Sequence, residues 1–213
     1  MTEEVIPTSR KGEPAWGIAL LYPVQGQWTE RQYLALDTNR LIELLDGCLE
    51  FLPMPTILHQ AIVAFLFDAL RGFVEANAVG EVLFAPLRVK LFPGHIREPD
   101  VVYLRPERMG NRREPPNGAD LVMEIVSPGN ENHDRDYDEK RAAYSAAGIQ
   151  EYWIADPQEH RVTVLALEAN GYRVHGEFTP GQQATSVMFP GFQVDVAAAF
   201  AAGEGTPPPT SNA

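Results

Sequence analysis

Two short β-type runs each place one carboxylate among apolar neighbours: Pro99-Asp100-Val101-Val102-Tyr103-Leu104 and Leu121-Val122-Met123-Glu124-Ile125-Val126. An ionised carboxylate flanked by valine, isoleucine and leucine is costly to bury unless a cation or strong donors compensate it. Asp100 and Glu124 stand twenty-four residues apart, enough for two neighbouring strands joined by a loop. Their side chains can therefore converge. A hard divalent cation such as Mg²⁺ is held by one or two carboxylates and keeps several waters, which leaves room for phosphate oxygens. The carbonyl of Ile125 is a natural further oxygen ligand. Downstream, Asp136, Lys140 and Tyr144 recur at i, i+4 and i+8 and so share one helix face. An amine on that face could orient or deprotonate an attacking water, or stabilise charge on a phosphate. Two acids and a lysine together describe metal-dependent phosphodiester hydrolysis with Mg²⁺ or Mn²⁺.

Each residue also has a plainer reading. Asp100 after Pro99 is an ordinary turn or strand-start aspartate. Glu124 could face water from an edge strand, but the apolar residues on both sides favour a central strand. A lone lysine on a helix is more often solvated than functional. Glu43 in a hairpin often faces water, and His59 is more often a hydrogen-bonding helix-start histidine than a catalyst. Cys48 has no neighbouring base in sequence and reads as structural.

The elements that must position these groups follow from the pattern. Thr29 with Gln32 forms a capping box opening a short helix. Residues 40–52 are two apolar runs joined by Asp46-Gly47, the signature of a type I′ hairpin. From His59 to Val79 apolar residues recur at helical spacing, with Gly80 placed as the C-terminal cap. Strands are expected over 81–84 and 87–91, a turn at Pro93-Gly94, and an irregular arginine-bearing loop over 105–120. A helix over 136–147 ends at Gly148. Strands then follow over 151–155, 161–168 and 172–178, the last two joined at Asn170-Gly171. A final strand segment over 184–196 leads to one helical turn over 196–200. The class is α+β: a curved mixed or antiparallel β-sheet packed with two main helices.

The length suits one domain, expected over 27–202 between an N-terminal arm over 1–26 and a disordered tail over 203–213. The net charge of −12 argues against tight nonspecific wrapping of nucleic acid, though not against a local basic face. Arg88, Lys90, Arg97, Arg105, Arg108, Arg112 and Arg113 concentrate positive charge along the chain near the two acids. One cysteine rules out an intrachain disulfide and suits a reducing compartment. The apolar run 18–21 is too short for a signal peptide core or a membrane span. A cytoplasmic protein with no membrane partner is expected.

Taken in order, Pro99-Asp100, Glu124-Ile125-Val126-Ser127-Pro128, Asp136-x-x-x-Lys140-x-x-x-Tyr144 and Glu151-Tyr152-Trp153-Ile154-Ala155-Asp156-Pro157 closely resemble the Uma-type restriction endonucleases, a branch of the PD-(D/E)XK nuclease superfamily. The resemblance reaches upstream to Glu43-Leu44-Leu45-Asp46-Gly47 and His59-Gln60 and covers roughly Trp28 to Phe200. It implies a restriction-endonuclease-like core and a Mg²⁺-dependent nuclease acting on DNA, with Asp100 and Glu124 as metal ligands. It also implies Glu43 as an extra acidic ligand candidate, and His59, Gln60, Asp136 and Tyr144 as residues around the ligands. The superfamily pattern departs at position 126, where valine stands in place of lysine. The resemblance transfers that role to Lys140. Cutting both strands of a duplex needs two active sites, so a homodimer is expected. Two other readings remain open: a noncatalytic binding or assembly module on the same fold, and a hydrolase of smaller phosphate esters.

Overall fold

The computed structural model describes residues 22–38 and 40–204. The expected tail lies outside them from residue 205 onward, as does the expected arm up to residue 21. Residues 22–26 pack against the hairpin: the Gln25 side-chain amide both donates to the Leu49 carbonyl and accepts from its N–H, and Tyr22 stacks on Trp28.

The capping box at Thr29 opens α1 (Glu30–Leu34). β1 (Ile42–Leu45) and β2 (Cys48–Phe51) then form the expected hairpin, with Asp46 and Gly47 both at positive φ as the turn requires. The long helix α2 (Ile57–Asn77) starts two residues earlier than its periodicity indicates, because Thr56 caps it by accepting from the His59 N–H. It ends on Ala78 in the left-handed conformation rather than on Gly80. β3 (Glu81–Phe84) and β4 (Val89–Phe92) follow. Pro93-Gly94 does not lead directly to the Asp100 strand; it turns into a further short strand, β5 (His95–Arg97), which pairs with β4 and β1. β6 (Val101–Leu104) begins immediately after Asp100, and the loop beyond it holds one 3₁₀ turn.

After β7 (Leu121–Ile125) the helix begins six residues before Asp136. α3 (Asn130–Asp134) passes into a π-helical turn over Arg135–Glu139 and then into α4 (Lys140–Ala146). The remaining elements are β8 (Glu151–Asp156), β9 (Arg161–Glu168), β10 (Gly171–Phe178), β11 (Gln183–Thr185), β12 (Gln193–Asp195) and α5 (Val196–Glu204). The segment read as one final strand is thus two short paired strands, because a turn at Pro190-Gly191 folds it back on itself. The single helical turn is a nine-residue helix.

A six-stranded sheet in the order β10-β9-β8-β7-β6-β3 carries the fold, antiparallel except for the β7–β8 pair. Alternation along its strands feeds two cores. Leu121, Met123 and Ile125 face α2 and α5 with Trp153, Ile62, Leu66 and Leu70. Val122, Val102, Ile154 and Tyr152 face the α4 side with Tyr144. A four-stranded sheet, β2-β1-β5-β4, stands beside it over a small core of its own. By length and composition α2 could cross a membrane, but its stripe of Ile62, Leu66, Leu70 and Val74 is the core against the sheet. Leu66→Ala should therefore lower unfolding stability by about 2–5 kcal/mol. Urea unfolding checks this, and an unchanged midpoint would contradict burial of that stripe.

Candidate active site

Sheet register brings the two acids together. Val101 pairs with Met123 in the antiparallel β6–β7 ladder, so Asp100, one residue earlier, comes opposite Glu124, one residue later. Asp100 lies at the bend before β6 rather than inside a strand. Its Oδ2 accepts the Ile125 N–H at 2.8 Å and faces His59 Nε2 at 3.2 Å, from the first turn of α2. Burial lowers the His59 imidazolium, but the Asp100 carboxylate more than offsets this and lifts its pKa above the ordinary value.

Glu124 rises on the α4 face of the sheet, between Met123 and Ile125 that point to the opposite core. Its Oε2 lies 2.8 Å from Lys140 Nζ, and its Oε1 accepts the Tyr144 hydroxyl. Lys140 Nζ also lies 3.0 Å from Asp136 Oδ1. All three charged side chains are almost wholly buried. The π-helical turn carries Asp136 and ends at Glu139, just before Lys140, and the Tyr152 hydroxyl donates to the Asp136 carbonyl within it at 2.9 Å. Such turns widen a helix locally and recur where side chains must be re-aimed.

Three carboxylates, Asp100, Glu124 and Asp136, share the Lys140 ammonium, with His59 beside Asp100 and Arg135 in the same wall. Burial pushes the Glu124 carboxyl up to about 8; Lys140 opposes the shift, and Asp100 and Asp136 reinforce it. Burial also raises Asp136 against the pull of Lys140. Burial alone would discharge Lys140, but Asp136 and Glu124 hold its ammonium well above the usual lysine range. A proton on Glu124 or an added cation lowers the mutual repulsion of these carboxylates.

These groups line a cavity of about 350 Å³ with His59, Gln60, Ile125, Ser127, Arg135 and Glu98. Asp100, Glu124, Ile125, Lys140, Asp136, His59 and Gln60 thus meet in one place, and Tyr144 touches it through Glu124. Glu43 is set apart. Its Oε2 takes Arg97 Nη1 at 2.5 Å and its Oε1 takes the Glu98 N–H at 2.9 Å, so it braces the strand before Asp100, and it does not line the cavity. Glu98 and Arg135 line the cavity without having stood out in the sequence. The only available signal was their place beside Pro99-Asp100 and Asp136.

The expected concentration of free positive charge near the acids is largely neutralised internally. Arg97 pairs with Glu43 and Glu50, Arg88 with Glu98, Arg105 and Arg108 with Asp120, and Arg112 with Glu81.

The family model for Uma2, described as putative restriction endonuclease, matches residues 30–197. The chain belongs to the Uma2 family. The crystal structure of a putative nuclease of the DUF820 group from Anabaena variabilis ATCC 29413 superposes with a TM-score of 0.67 at 19% identity, over 82% of this chain and 98% of that one. At that identity the likeness establishes the fold. No curated protein matches the chain. The restriction-endonuclease-like α+β fold expected from the motifs is therefore the one observed, in a Uma2 member whose position 126 is a valine buried in the core beside Tyr144.

Removing the ammonium should make stability depend on pH. In Lys140→Met the Glu124 carboxyl, already raised, loses its main opposing cation. Between the unfolded value, roughly 4.3, and the folded value, the native state holds a proton that the unfolded chain has released. Unfolding free energy then falls as pH rises. The variant should be destabilised by about 3–5 kcal/mol at high pH, and clearly less at low pH, where Glu124 is protonated. Urea midpoints at both ends of that range test this; a loss independent of pH would contradict it.

Proposed function

We propose that this protein is a divalent-metal-dependent endonuclease that hydrolyses DNA phosphodiester bonds at the Asp100–Glu124–Lys140 cavity. The single observation carrying this reading is the meeting of two sequence-distant acids and one helical lysine in one cavity. The donor set suits Mg²⁺ or Mn²⁺, which need only one or two carboxylates and retain waters. Among the described residues no three His, Cys, Asp or Glu side chains group together to hold a metal, so an ion here would rest on two carboxylates and a backbone carbonyl. Asp100, Glu124 and the Ile125 carbonyl would hold the ion. When bound, it supplies Lewis-acid polarisation of a phosphoryl oxygen and lowers the pKa of a coordinated water.

The protein's own groups divide the remaining work. The Ile125 N–H and His59 hold Asp100 Oδ2, which fixes the direction of its other oxygen. Tyr144 and Lys140 fix Glu124 from two sides. Asp136 and Glu124 favour the ammonium form of Lys140, which supports donation to a water or a phosphate oxygen over removal of a proton. Gln60 offers an amide at the cavity wall. The net charge of −12 and the valine at position 126 favour a noncatalytic binding or assembly module instead; the placing of Lys140 Nζ 2.8 Å from Glu124 supports the enzyme over that alternative. Cleavage of both duplex strands requires two such cavities, so a homodimer of the 23.6 kDa chain belongs to the same reading.

Plasmid DNA should be nicked or linearised in Mg²⁺ or Mn²⁺ and left intact in EDTA. Asp100→Ala and Glu124→Ala should each reduce the rate by about a hundredfold or more. Cleavage that persists in both variants would remove the assignment. Light scattering should give twice the chain mass.

A further inference from the structure

Next to the active-site cavity lies a second one of about 420 Å³, lined by Thr38, Arg40, Arg88, Arg112, Arg113 and Glu114 among others. The two share a wall: Leu41, Pro86 and Glu98 face both. The second cavity presents four guanidinium groups against two carboxylates, in a chain whose net charge is −12. The four do different work. Arg88 is half-buried, donates to the carbonyls of Tyr33, Leu34 and Leu36 at the end of α1, pairs with Glu98 at 3.3 Å, and lies over the Tyr33 ring. Arg112 clamps Glu81 with two bonds of 2.8 and 2.7 Å and so ties the 105–120 loop to the sheet edge at β3. Arg40 and Arg113 are exposed, and neither guanidinium has a carboxylate partner among the described residues. Of the acids, Glu98 is turned toward Arg88, and Glu114 accepts the Asn111 amide at 2.7 Å.

We infer that this arginine-walled cavity is a phosphate-binding subsite for the DNA backbone flanking the scissile bond. Arg40 and Arg113 contact phosphate directly, and Arg88 and Arg112 hold the walls that aim them. The inference rests on the nuclease reading of the neighbouring cavity and specifies how the substrate strand lies across it. The physical case is one of charge placement. A protein with this acidic total repels a polyanion over most of its surface, so productive binding needs cations that are not already neutralised internally. Most arginines near the site are so neutralised; two are not, and both open onto the cavity that adjoins the acids. Guanidinium is also the side chain whose planar donors match phosphate oxygens. Phosphate contacts of this type set register on the strand without reading sequence.

The test uses the full chain and three variants: Arg40→Gln, Arg113→Gln, and Arg173→Gln as a control for charge loss. Arg173 pairs with Glu168 on the β9–β10 hairpin, outside both cavities. Binding of a fluorescein-labelled duplex in EDTA is followed over a salt series. Each direct phosphate contact contributes about 0.9 to the slope of log affinity against log salt, so each of the two variants should lower the slope by roughly one. Arg173→Gln should not. In Mn²⁺, the two variants should raise KM for plasmid cleavage with little change in kcat. Hydrolysis of bis(p-nitrophenyl) phosphate, which has no flanking phosphates, should be unchanged. Slopes and KM values equal to those of Arg173→Gln would overturn the subsite, as would failure of the unaltered chain to bind the duplex. A slope lowered by Arg40→Gln and Arg113→Gln in a protein that cleaves neither substrate would leave the subsite standing and overturn only the nuclease reading.

Discussion

The buried contact of Lys140 with Glu124 and Asp136 is the constraint around which the rest of the molecule is arranged. Ions taken out of water must satisfy one another at close range, and removing one partner strands the others. Here one ammonium serves two carboxylates, with a third carboxylate across the cavity at Asp100. The cluster holds its geometry while burial and the neighbouring carboxylates keep Glu124 raised. A π-helical turn carries Asp136 into it, and Tyr152 and Tyr144 both direct hydroxyls to it.

Positioning comes from two directions. The sheet fixes Asp100 against Glu124 through the register of β6 and β7, and the Ile125 N–H completes the link by bonding Asp100 directly. The helices bring the remaining groups from opposite sides: α2 delivers His59 at its capped first turn, and α4 delivers Lys140 and Tyr144. Glu43, a nearby acid that does not line the cavity, takes Arg97 on one oxygen and the Glu98 N–H on the other and so stabilises the chain just before Pro99.

Charge is distributed with the same economy beyond the cavity. The arginines of the 88–113 region mostly anchor loops by pairing with Glu81, Glu98 and Asp120. A count of basic residues along the chain therefore overstates the field available to a polyanion. What remains is local and lies beside the acids, which is the arrangement a substrate carrying many phosphates would need from an acidic protein.

Much of this was legible from the amino-acid order. The hairpin at Asp46-Gly47 was set by local backbone preferences, and the stripe of α2 by its helical period. The second hairpin turns one residue earlier than Asn-Gly indicates, at Ala169-Asn170, because Gly171 already pairs with Glu168. Asp100, Glu124 and Lys140 stood out because charged residues at those points conflict with, or align on, an otherwise apolar pattern. Other features depend on contacts between distant segments, which periodicity does not encode. Neither the capture of Glu43 by Arg97 nor the early start of the helix at Asn130 has a local signature, and the same holds for the π-helical turn and for which arginines remain unpaired. The chain dictated which side chains could do chemistry. Only the fold decided which of them face the same cavity, because a charge buried in a protein is defined by its neighbours in space.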